Sequence, residues 1–199
     1  MEDIFKNMIE KLNKIQEKLK EKIILTDCFG RLESVGGADV HYRENRGACG
    51  FVVMKDGDVI IREVTEMDVK FPYIPGYFAF REAPLIIKTV KKFKNGLDLL
   101  FVNGHGIAHP RYYGLACHVG LVLDIPTVGI AKRLLCGEEK GGKIFYKEKV
   151  VGYKYRGTYV SPGHKISVET SLRVVRRFDL SHGLPEPLYM AHILAKESV

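Results

Sequence analysis

Residues 2 to 20 set Ile4, Phe5, Met8, Ile9, Leu12, Ile15 and Leu19 at three- and four-residue intervals among lysines and glutamates, the spacing of a helix with one apolar face. The period then changes. SVGGADVHY (34–42), ACGFVVMK (48–55) and DVIIREVTEM (58–67) read as strands, and the Asp56-Gly57 pair predicts a two-residue hairpin turn between the last two. FPYIPG (71–76) carries too much proline for a strand or a helix interior and is expected to form a stiff loop. Helical spacing returns in YFAFREAPLIIKTVKKF (77–93) through Phe78, Glu82, Leu85, Ile86, Val90 and Phe93, so Pro84 must fall in the first turns or bend the helix.

LDLLFV (97–102) and TVGIAK (127–132) have the apolar character of strands buried on both faces, and GLACHVGLVLDI (114–125) between them reads as a helix. KIFYKEKVVGYKYRGTYVS (143–161) is expected to be a hairpin region and SVETSLRVVRRF (167–178) a helix. Early hairpins followed by alternating helix and buried strand predict an α/β fold, a mixed central β-sheet flanked by α-helices. A chain of 199 residues fits one domain, taken here as residues 1–199. In such sheets working residues gather where loops leave the strand ends.

Composition narrows the class. Hydrophobic residues make up 46% of the chain and charged residues 28%, a globular balance. No apolar run approaches the roughly 18–20 residues of a membrane span, and MEDIFKNMIEKLNK lacks the regions of a signal peptide, so a cytoplasmic protein with no membrane partner is expected. Cys28, Cys49, Cys117 and Cys136 show neither CxxC pairing nor zinc-ligand spacing and are expected to be reduced thiols. The net charge of +7 favours a polyanionic partner, although KEKLKEK (17–23) and RVVRRF (173–178), where much of it lies, also suit solvated helix faces.

The candidate chemistry begins with two acids. Asp39 sits in a strand beside Gly36, Gly37 and Ala38, and a buried carboxylate there must be hydrogen-bonded, paired with an arginine or bound to a cation. Glu82 falls on the core-facing stripe of its helix, where it either pairs with Arg81 or leans toward Asp39 to share a hard cation. Asn103 follows the strand LDLLFV and opens the loop NGHGIAHPR. His105 and His109 are four apart, but Gly104, Gly106 and Pro110 argue against the helix that would make them a zinc pair.

With these residues in place, the chain is similar to the endonuclease V family, which acts on deaminated bases in nucleic acid. The resemblance rests on GGADVHY, FPYIPGYFAFREAPL, GHGIAHPRYYGLACHVGL, IPTVGIAK, VSPGHKISVETS and PEPLYMAH in that order, blocks that span nearly the whole sequence. It implies an RNase H-like fold and a Mg²⁺ cofactor, with Mn²⁺ as a substitute. Asp39, Glu82 and Asn103 match the positions that hold the cation. His164 matches a histidine near metal and phosphate, and Lys132 matches a lysine near the nucleic-acid backbone. Pro72, Tyr73, Ile74 and Pro75 match a strand-separating wedge, in which the prolines hold Tyr73 and Ile74 projecting. Gly76, Phe78, Gly104, Gly106, Gly114, Leu115 and Leu135 match the pocket for the extruded base.

The implied partner is DNA or RNA containing deaminated bases, hypoxanthine above all, cut at the second phosphodiester 3′ to the lesion. A monomer is expected. One departure stands out: the family has an aspartate where this chain has Asn103. An amide keeps one neutral oxygen for a cation but removes a full negative charge, so weaker metal binding and reduced or abolished cleavage are expected. Asp98, about 5 residues or roughly 17 Å back along the strand, is no replacement. The asparagine is compatible with an introduced trap, a natural variant of low activity, or a noncatalytic inosine-binding protein. Slow deamidation of the Asn103-Gly104 bond would restore some aspartate. A basic RNase H-like nuclease with no base preference is the remaining alternative.

Overall fold

The computed structural model describes residues 2–178 and 180–199. An N-terminal helix α1 (Glu2–Lys20) precedes the meander β1 (Ser34–Arg43), β2 (Arg46–Lys55) and β3 (Asp58–Asp68), after which come α2 (Phe78–Val90) and β4 (Leu99–Asn103). Then follow α3 (Leu115–Leu123), β5 (Thr127–Ala131), β6 (Glu138–Lys140), β7 (Lys143–Tyr146), β8 (Lys149–Tyr155) and β9 (Thr158–His164). The chain closes with α4 (Val168–Val175), the short pair β10 (Leu180–Ser181) and β11 (Leu184–Pro185), and α5 (Glu186–Glu197).

Nine strands form one sheet in the order β3-β2-β1-β4-β5-β9-β8-β7-β6. β1, β4 and β5 run parallel at its centre, and the strands outside them are antiparallel. This is the mixed α/β, RNase H-like arrangement that the sequence pattern and resemblance implied. Alternation along β4 explains the two layers: Leu100 and Val102 join the core under α2 and α3, whereas Leu99 and Phe101 join the core shared with α4 and α5. The parallel register pairs Ala38 with Val102, which brings Asp39 and Asn103 side by side at the carboxyl ends of β1 and β4.

Local chemistry accounts for most element boundaries. Asp56 and Gly57 take φ of 52° and 91°, the positive values of the hairpin turn expected there. Ser167 caps α4 by accepting a hydrogen bond from the Thr170 N–H. Pro84 lies inside α2, where it has no N–H to return to the Phe80 carbonyl. The region expected as one hairpin, 143–161, is three strands of an antiparallel meander.

The helix α5 was not foreseen by periodicity. It lies directly on β1 and β2 because two glycines let it: a Cβ at Gly37 would stand 2.3 Å from the Leu188 nitrogen, and one at Gly50 would stand 2.2 Å from the Ala191 carbonyl oxygen. Asp39 is paired with Gly50 across the β1–β2 ladder, so the same close approach sets the C-terminal helix against the acid. Among the described residues, no helix is long and apolar enough to cross a membrane.

Gly50→Ala therefore forces the sheet and α5 apart. Overpacking of this kind costs about 1–3 kcal/mol, which lowers the melting temperature of a chain this size by roughly 3–10 °C. Gly30→Ala, with nothing within 4 Å of the added Cβ, serves as the control and leaves melting unchanged. Circular dichroism melts of both variants read the outcome; equal melting of the two contradicts the packing argument.

Candidate active site

Asp39 is buried, with 4% of its surface exposed, and both of its oxygens are engaged. Oδ1 accepts from the Val40 N–H at 2.8 Å and from Asn103 Nδ2 at 2.9 Å. Oδ2 accepts from His192 Nδ1 at 2.7 Å, and His41 Nε2 lies 4.0 Å away. The Asn103 amide thus takes the place where a second carboxylate would repel the first unless a cation separated them.

Glu82 enters from α2 and is equally buried. Burial, reinforced by the charge of Asp39, holds its carboxyl well above the usual carboxylate range, with Arg81 and Tyr42 opposing. The ion pair with Arg81 is not formed: Arg81 donates to the Phe71 carbonyl and stacks over the Tyr42 ring at 4.3 Å. Among the described residues Glu82 has no salt-bridge partner, so the nearby Arg81 and Tyr42 offset its charge only in part once it ionises.

Asp39, Glu82, Asn103 and Lys132 open onto one cavity of about 480 Å³, within the usual size range of small-ligand sites. Gly76, Phe78, Gly104, Gly114, Leu115 and Leu135 line it, together with Tyr73 and Pro75. Tyr73 projects from the proline loop with 63% exposure and meets the Phe78 ring edge to face at 5.0 Å. Pro72 is exposed beside it but outside the cavity wall, and Ile74 is half-buried rather than projecting, its carbonyl accepting from the Tyr77 N–H.

The rim of the cavity is fixed by a buried network that the sequence reading did not assign. Gln16 of α1 donates to the carbonyls of Gly76 and Tyr113 and accepts from Arg111 Nε. His109 donates from Nε2 to Gly76 O and accepts at Nδ1 from the Arg111 N–H; burial pushes its pKa down to about 4, so the ring is neutral and spent on structure. His105 lies on the Arg133 carbonyl instead, at 2.9 Å.

Two expected members are placed elsewhere. His164 ends β9, which runs antiparallel to β5, so the residue pairs with Thr127 at the entry end of the parallel strands, roughly 10 Å along β4 from Asn103. There it accepts from the Ile24 N–H and faces Asp124, tying α1's following loop to the end of α3. The match was made on the VSPGHK motif, which does not record that β9 runs antiparallel to β5 and so ends at the opposite edge from Asn103. Gly106 is absent from the cavity wall: its N–H donates to Ser161 Oγ, and a Cβ there would stand 2.0 Å from the Pro162 carbonyl oxygen.

His192 was missed. Its segment, PEPLYMAH, was quoted only as part of the resemblance, yet Leu188 and Ala191 mark the sheet-facing side of α5, and His192 follows at the i+4 position from Leu188. Paired with the small residues of β1 and β2, that pattern was the available signal.

Comparison with known proteins decides the family. The endonuclease V family model matches residues 17–193. The chain belongs to the endonuclease V family. Endonuclease V of Dictyoglomus thermophilum is 39% identical over 96% of this chain and 90% of its own length. That of Ignicoccus hospitalis is 41% identical over 92% of each chain. The solved endonuclease V of Ciona intestinalis, in complex with a 24mer DNA containing an inosine followed by a ribo-adenosine, superposes with a TM-score of 0.84 at 26% identity, covering 96% of this chain and 98% of that one.

The buried Glu82 makes a measurable prediction in metal-free protein. Its raised folded-state pKa means its contribution to stability is full below the unfolded value of about 4.3 and is lost as pH rises through the folded value. Metal-free Glu82→Gln therefore melts above the parent at pH 7, and the gap closes toward pH ~4. A parent that melts higher at pH 7 contradicts this electrostatic reading.

Proposed function

We propose that the chain is a divalent-metal-dependent endonuclease for deaminated purines, with turnover lowered by Asn103. The observation that carries the reading is one cavity whose wall holds both the acidic pair Asp39 and Glu82 and the apolar side chains of Phe78, Leu115 and Leu135. A base swung out of its strand fits such a slot, whose glycine-rich rim lets backbone groups approach the base edge. Hypoxanthine, with O6 and N1–H where adenine has an amino group and a bare N1, is the base such a rim discriminates. The complex of the Ciona relative with inosine-containing DNA supports that choice.

The residues divide the work. Tyr73, held out by Pro72 and Pro75, fills the gap left in the stack, with the half-buried Ile74 beside it. Lys132 places a point charge at the mouth of the slot for a phosphate oxygen. Asp39 and Glu82, with the amide oxygen of residue 103, hold Mg²⁺ or Mn²⁺. When bound, the cation supplies a Lewis acid for water attack at the second phosphodiester 3′ to the lesion. Asn103 must first turn its amide, giving up its bond to Asp39, before its oxygen faces a cation. That cost and the missing charge are why slow cleavage is proposed for this chain, in DNA or RNA alike.

The same hydrogen bond favours a second reading, a noncatalytic inosine-binding protein, because it satisfies Asp39 with no metal at all. Nicking of a deoxyinosine duplex separates the two. Asn103→Asp is expected to cut with Mg²⁺ or Mn²⁺ at least 100-fold faster than the parent, a transition-state difference of about 2.7 kcal/mol. An aspartate form that binds inosine yet never cuts would leave only the binding protein. Tyr73→Ala is expected to weaken capture of an inosine duplex by about tenfold and of a single-stranded inosine oligonucleotide much less, since base–aromatic stacking contributes roughly 1–3 kcal/mol. Equal losses in fluorescence-anisotropy titrations count against the wedge.

A further inference from the structure

We propose that Asp39, His41 and His192 form a two-histidine, one-carboxylate site that takes a first-row transition-metal dication in preference to Mg²⁺. The binding claim stands on geometry alone; any use of the ion in cleavage rests on the nuclease reading above.

The three side chains come from opposite ends of the sequence. Asp39 and His41 project from the same face of β1, two residues apart, and His192 descends from α5. Each offers one ligand atom, and the three atoms lie within 4.8 Å of one another. His192 Nδ1 is 2.7 Å from Asp39 Oδ2 and 3.2 Å from His41 Nε2, and the remaining edge, His41 Nε2 to Asp39 Oδ2, is 4.0 Å. Ligands bound to one tetrahedral ion at about 2.0–2.1 Å stand roughly 3.3 Å apart. The observed triangle brackets that spacing, so sub-ångström adjustments suffice to close it around an ion.

The two oxygens of Asp39 face different surroundings, and this gives the site its selectivity. On the Oδ1 side the Val40 N–H and the Asn103 amide already donate, which closes that side to a cation unless the amide turns away. On the Oδ2 side stand the two imidazoles. A cation approaching on the Oδ2 side therefore meets one anionic oxygen and two nitrogens. Imidazole suits the later first-row dications, whereas Mg²⁺ demands oxygen ligands and sheds water reluctantly. His41 and His192 are partly exposed, with 31% and 21% of their side chains accessible, so an ion can reach them while Asp39 stays buried. Coordination through His192 Nδ1 would use the tautomer that carries its proton on Nε2.

The test titrates the metal-free full chain with Co²⁺ and with Mg²⁺, by calorimetry for both and by visible absorption for Co²⁺. One Co²⁺ per chain is expected, bound at least ~100-fold more tightly than Mg²⁺. His41→Ala is expected to lose about tenfold or more of the Co²⁺ affinity and to keep Mg²⁺ affinity within ~3-fold. Asn103→Asp is expected to narrow the gap by strengthening Mg²⁺ binding. Because a variant can perturb folding, the parent alone gives a second readout: Co²⁺ broadens the ring resonances of His41 and His192 in its NMR spectrum. Co²⁺ and Mg²⁺ affinities within ~3-fold of each other, or unperturbed ring resonances in the parent, overturn the site. Nicking measured on the same samples keeps the two readings apart. Triad-bound Co²⁺ with no cleavage by Asn103→Asp sinks the nuclease and leaves this site standing; Mg²⁺-driven cleavage without Co²⁺ preference does the reverse.

Discussion

A buried carboxylate with both oxygens hydrogen-bonded is the constraint on which this molecule turns. Asp39 is removed from water at the end of a central strand, and it stays tolerable there only because the Val40 N–H, the Asn103 amide and His192 all donate to it. Each donor comes from a different piece of the chain: β1 itself, the neighbouring parallel strand β4, and the C-terminal helix α5. The acid therefore serves as a staple as well as a candidate ligand. Glu82, a short way off on α2, has no comparable set of donors and is held toward its neutral form by burial. Two neighbouring acids in such different surroundings form the electrostatic asymmetry on which a metal site can act, since an arriving cation stabilises the ionised form of the second.

The backbone makes that arrangement reachable. Parallel pairing of β1 with β4 sets residues 39 and 103 side by side, and the missing side chains at Gly37 and Gly50 let α5 come down far enough for His192 to touch the acid. On the opposite side of the cavity, Gln16 from the first helix and His109 from the loop after β4 both fasten the Gly76 carbonyl. The cavity is thus lined by segments from the beginning and the middle of the sequence, and the acid on its wall is held as well by the helix at the end.

Much of the layout was legible beforehand. The Asp56-Gly57 turn, the apolar runs at β4 and β5, and the helical stripe through Glu82 and Leu85 all depend on local chemistry that a window of residues displays. What escaped depends on partners far away in sequence. The segment that becomes α5 begins with two prolines and shows apolar residues on several sides, because it is covered by the sheet and by β10 and β11 rather than lying half in solvent. His192 was missed for the same reason, since only its spacing from Leu188 and the small residues of two distant strands hinted at it. His164 was misplaced because the direction of β9 relative to β5 is a property of topology, and no motif records it. Gly106 was assigned to the cavity by its match to a family position, yet here it packs against β9, with its N–H on Ser161 Oγ.

The central claim is spatial: one unstacked purine and the acidic pair share a single cavity. A crystal structure of the full chain with a single-stranded oligonucleotide carrying one inosine tests it most directly. The account predicts the hypoxanthine ring between Phe78, Leu115 and Leu135, with a phosphate on its 3′ side drawn toward Asp39 and Lys132. An oligonucleotide bound with its inosine outside that slot, or lying along a different face of the sheet, would contradict it.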